Sequence, residues 1–160
     1  MTVPAFRDWF GIRADDPPAR RHAFADLLRM AESMLSTRRQ RFPAMIAAGE
    51  LDADAAATEI AAFEDLVADW RFIASAGAEG EPASMLSQWR RRQLLDESLQ
   101  TIADLAREAG GFSETLGRQA ECVIALRWHL EPGREQLALA RLTHRLRTDA
   151  AQRREPAPCN

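Results

Sequence analysis

A chain of 160 residues, 46% hydrophobic and 28% charged, has the length of one ordinary domain and can bury roughly two-thirds of its unfolded surface without metals or disulfides. A net charge of −3 is the opposite of the usual nucleic-acid footprint. The longest unbroken apolar runs, such as Cys122 to Leu126, fall far short of the ~20 residues of a membrane span.

Arg7 and Asp8 stand where a signal peptide would carry its apolar core, so the expected location is the cytoplasm, with Cys122 and Cys159 reduced. All 21 basic residues are arginine, and the charge is segregated: net +3 over residues 1–47, −8 over 48–88 and +2 over 89–160. An acidic middle between basic flanks can pair within the chain, pair between subunits, or form a solvated face.

Along the chain, Phe6, Trp9, Phe10 and Ile12 come first. A short helix there would set Phe6, Trp9 and Phe10 on one side, the i, i+3, i+4 anchors of a docking segment. They are the candidate partner-binding residues, destined for the chain's own core, a second subunit or an external groove. After Pro17-Pro18, apolar residues from Phe24 to Phe42 repeat at three and four residues and predict a helix from about Pro18 to Arg41. Pro43 lacks an amide hydrogen and predicts a break, with a short corner helix over 43–48. Gly49 closes that turn and Asp52 caps a helix from about Ala53 to Ala74, whose inner stripe is Ala56, Ile60, Phe63, Val67 and Trp70.

Ser75 to Ala83 reads as the internal loop. Ser84 would cap a third long helix running to Ala109 through Met85, Trp89, Leu95, Leu99, Ile102 and Ala106, ended by Gly110-Gly111. Ser113 opens a fourth, to about Leu130, apolar around its whole circumference and therefore central. After Pro132-Gly133, Leu139, Leu142 and Leu146 line a last helix to about Asp149, and residues 151–160 have little to bury and are expected to be disordered. No run alternates with period two. The expectation is an all-α protein: one domain over residues 1–150, a helical bundle of four long helices with a short corner helix and a short N-terminal aromatic segment.

The corner also carries a resemblance. Arg41, Phe42, Pro43, Ile46, Ala47, Gly49 and Leu51, followed by Glu59, Ile60, Phe63 and Glu64, resemble a segment of small uncharacterised helical proteins of bacterial phage-like and prophage elements. The likeness spans about residues 38–70 and implies no activity.

No catalytic constellation emerges. None of His22, His129 and His144 has a Glu three residues before it, as the Glu-x-x-His pairs of di-iron bundles require, and no P-loop, calcium-loop or dinucleotide pattern occurs. Cys122 and His129, seven residues apart on one helix, are separated by about 10 Å. Glu59, Glu64, Asp65 and Asp69 form the one acidic cluster to weigh as a magnesium site of a metal-dependent nucleotide hydrolase, but they lack the paired Glu-x-x-Glu and Glu-x-x-Asp spacing of helical pyrophosphohydrolases. No metal or other cofactor is expected. Arg90, Arg91 and Arg92 are the candidate nucleic-acid contacts, with Arg141, Arg145 and Arg147 of the last helix behind them. The leading expectation is a non-catalytic, self-associating interaction or regulatory module, ahead of a DNA-associated regulator and, third, the hydrolase.

Overall fold

The computed structural model describes residue 3 and residues 5–154. The chain opens with a β-hairpin, not a helix: β1 (Phe6–Trp9) pairs antiparallel with β2 (Ile12–Asp15), setting Phe6 opposite Asp15 and Trp9 opposite Ile12. Both turn residues take positive φ, Phe10 at 56° and Gly11 at 96°, as a two-residue turn needs to match the twist of its strands. The Asp8 carboxylate accepts the Gly11 N–H at 2.9 Å and fixes the turn.

Among the described residues five α-helices follow: α1 (Phe24–Ala47), α2 (Ala53–Ala74), α3 (Gln88–Ala109), α4 (Glu114–Trp128) and α5 (Glu135–Arg154). The protein is thus mostly helical with a small two-stranded sheet. Helix α1 begins at Phe24 instead of Pro18, and the Arg21 carbonyl, just ahead of it, accepts from His129 Nε2 at 2.8 Å. There is no separate corner helix, because α1 runs through Pro43. The ring costs one helical hydrogen bond, to the Arg39 carbonyl. Both residues are exposed, so water can serve that carbonyl, while buried Phe42 anchors the turn.

The stop and start signals of the corner hold. Gly49 lies at φ 73° and the Asp52 side chain accepts the Ala55 N–H at 3.1 Å. Nothing crowds the position a Cβ would take at Gly49, so the whole cost of a side chain there is backbone strain. Gly49→Val is expected to destabilise by about 1–2 kcal/mol, read as a lower urea midpoint. An unchanged midpoint would show that the left-handed turn is dispensable. Ser113 caps α4 through the Leu116 N–H, and Gly110 ends α3 at φ 77°. Ser84 does not cap α3: a 3₁₀ turn over Met85–Ser87 intervenes and Ser87 takes the cap position.

Helix α1 packs on α2 and α4, α3 packs on α2 and α4, and α5 lies against α2. Helix α4 is the central element, with every residue from Cys122 to Arg127 buried. Around it gather Leu27, Leu35, Phe63, Leu66, Trp70, Leu94 and Leu99. Among the described residues no helix is long and apolar enough to cross a membrane. Residues 151–154, expected to be disordered, continue α5, whereas 155–160, including Cys159, lie outside the described residues.

The apolar faces correct the sequence reading twice. Met85 and Trp89 are exposed, because α3 turns its inner face only from Arg91 onward, through Leu94, Leu95 and Leu99. On α5 the buried residues are Leu137 and Ala140, which leaves Leu139, Leu142 and Leu146 on the outside.

Candidate functional site

The hairpin separates the three N-terminal aromatics that one helix face would have grouped. Trp9, 3% exposed, enters the core with Ile12, whereas Phe6 is 50% and Phe10 41% exposed. Arg7 stacks on the Trp9 ring at 3.7 Å and its Nη1 reaches Glu131 Oε1 at 2.5 Å, so the strand is clasped to the end of α4. Trp9 is therefore a core residue of its own chain. Phe6 carries Arg13 over its ring at 4.3 Å.

The arginine run of α3 is split likewise. Arg91 is buried, and its Nη1 donates to Asp69 Oδ2 at 2.5 Å. Arg90 bonds its neighbour Gln93, and only Arg90 and Arg92 reach the surface. The three do not form one basic patch.

Asp69 centres a polar network that the sequence reading missed. Besides Arg91, its Oδ2 takes Arg141 Nη2 at 3.3 Å, and its Oδ1 accepts the Ala83 N–H at 2.8 Å. Arg91 Nη2 donates to the Ser84 carbonyl at 2.8 Å, Arg91 Nε to Ser87 Oγ at 3.1 Å, and Arg141 Nε to the Ala83 carbonyl at 3.0 Å. Burial pushes the Asp69 carboxyl above its ordinary range, opposed by both guanidiniums and the Ala83 N–H. The network moors the expected loop at its Ala83 end, together with the start of α3, to α2 and α5. The one sequence signal for it was an acid on the inner side of α2, where Asp69 precedes core Trp70.

Three other acids of the middle segment are also met from within the chain. Glu59 lies 3.8 Å from Arg38, Glu64 lies 3.5 Å from Arg39, and Asp65 accepts from Ser87 Oγ at 2.6 Å. The charge segregation thus pairs in part inside one molecule. Among the described residues no three His, Cys, Asp or Glu side chains converge as a metal site. Cys122 and His129 do not form a couple. Burial pushes the Cys122 thiol up, and His129, lowered by burial, sits edge-on between Trp70 and Trp128 with its Nε2 donating to the Arg21 carbonyl.

Beside the network opens a cleft of about 400 Å³ between the start of α3, the α4–α5 connection and the first half of α5. Arg134, Arg141 and Arg145 line it together with Gln88, His129 and Glu131, and Met85, Leu137 and Leu142 supply apolar wall. Glu131 is turned to Arg7 and lies 3.9 Å from Arg127. Arg134 lies over the Trp128 ring at 4.0 Å, and its buried Nε has no hydrogen-bond partner.

On the outer face of α5, Leu139, Leu142 and Leu146 are 50%, 40% and 58% exposed. Every residue from Arg145 to Arg154 is exposed. Comparison with family models, curated proteins and solved structures finds no match to this chain.

Proposed function

We propose that this protein is a non-catalytic helical interaction module that self-associates through the outer face of α5. The observation that carries the reading is the exposed leucine stripe Leu139, Leu142 and Leu146 on a helix whose last ten residues are all exposed, with Arg147 Nη1 donating back to the Gly77 carbonyl. An isolated helix that short is marginal in water and gains its order from packing. A row of exposed leucines is the kind of surface that marks an interaction site.

A second copy suits that face in charge as well as in apolarity. Arg145, Arg153 and Arg154 project from α5, while the exposed acids Glu50, Asp54, Glu79 and Glu81 have no arginine partner among the described residues. Two copies can satisfy both sets. The reading includes the kinship to phage-like helical proteins that the corner segment suggests. A second reading, weak contact with nucleic-acid phosphates, rests on the same projecting arginines and would show a steep loss with salt.

Sedimentation velocity from micromolar to hundred-micromolar protein tests the first reading. The wild type is expected to gain mass with concentration. The Leu139→Glu, Leu146→Glu double variant should stay monomeric with unchanged helical circular dichroism, because both side chains already face water. A wild type that remains monomeric at the highest concentration would sink the proposal.

A further inference from the structure

We infer that the cleft between the start of α3 and α5 is a binding site for a small organic phosphate, a phosphate ester with an apolar body. Three guanidiniums line one cavity of about 400 Å³, a size typical of small-molecule sites. Only Arg141 is neutralised, by Asp69 beneath it. Among the described residues no carboxylate pairs with Arg134 or Arg145, and the lining Glu131 is engaged by Arg7. Two unpaired guanidiniums match a phosphate monoester dianion in charge, and their planar donor sets suit its oxygens.

Two further observations point to a ligand. The buried Arg134 Nε is a donor without an acceptor, and Gln88 Oε1 in the same wall is likewise unpartnered. Buried polar atoms of this kind are rare in folded proteins unless something meets them. The site is also held in place from behind. Arg141 is fixed by two hydrogen bonds, to Asp69 and the Ala83 carbonyl, and Arg134 lies over the Trp128 ring. The apolar side chains of Met85, Leu137 and Leu142 complete the wall and offer apolar surface for the body of the ester. The cleft shares Leu142 and Arg145 with the outer face of α5, but its ligand is held within one chain, so the assignment does not require self-association.

Calorimetric titration of the full chain with phenyl phosphate, at constant ionic strength, tests it. Saturable binding is expected with one ligand per chain and a Kd at or below roughly 1 mM. Inorganic phosphate should bind more weakly and phenol not at all. Arg134→Gln and Arg145→Glu should each weaken phenyl phosphate roughly 10-fold or more, the loss of a charge-assisted contact. The second of these leaves folding untouched, since Arg145 is exposed. Arg118→Gln, a surface change on α4 away from the cleft, should bind as the wild type does. Absence of saturable binding, wild-type affinity in both cleft variants, or equal binding of phenol would each overturn the assignment.

Discussion

Asp69→Ala is expected to cost about 3–5 kcal/mol and to leave the protein partly unfolded in mild denaturant. The reason is not the loss of an attraction alone. Arg91 and Arg141 already place two positive charges on one buried carboxylate, and the Arg91 side chain is 1% exposed. Removing Asp69 strands a guanidinium in the core, orphans the Ala83 N–H and frees the loop that leads into α3. Replacing both partners, as Asp69→Leu with Arg91→Met, should recover most of the loss, because apolar side chains of similar volume carry no desolvation penalty. Urea midpoints of the two variants decide it. A single variant within about 1 kcal/mol of wild type would show that water reaches Arg91 and that the network is not a closed one.

Trp9→Ala should cost a comparable amount, about 3–5 kcal/mol, as a large ring leaves a filled core. The strand it sits on has only the hairpin partner for support, and two-stranded hairpins are marginal alone. Trp9 and the Arg7–Glu131 pair are what hold it. Deleting residues 1–16 should therefore lower the thermal midpoint at every protein concentration and leave the mass per particle unchanged. Phe6→Ala and Phe10→Ala should each stay within about 0.5 kcal/mol, as exposed positions do. A truncated chain that melts like the wild type would show that Trp9 does not close the core.

What could be read in the sequence was the punctuation. Asp52, Ser113, Gly49 and Gly110 act through their own backbone neighbourhood, and the structure finds each in its expected role. The hairpin was illegible for a physical reason. Its inward face on β1 pairs Arg7 with Trp9 and its outward face carries Phe6, so polarity does not alternate with the pleat, and Phe10 fills a turn position where Asn or Gly would have signalled. Pro43 misled because the cost of proline depends on whether water can reach the freed carbonyl, which only the fold decides. The Asp69 network and the arginine cleft were invisible because they join residues from α2, α3 and α5. Arg90 to Arg92, adjacent in sequence, point to different environments, and adjacency was the only cue available.

The Arg7–Glu131 clasp spans 124 residues of chain, and Asp69 meets Arg141 across 72. During synthesis from the N-terminus, Trp9 and its hairpin leave the ribosome long before the end of α4 exists to receive them, and Asp69 waits with Arg91 alone until α5 has emerged. A segment made early is among the last that can be seated. A nascent chain halted before Glu131 would hold an unclasped hairpin and an uncovered tryptophan, a state whose lifetime is set by the speed of translation instead of the speed of folding.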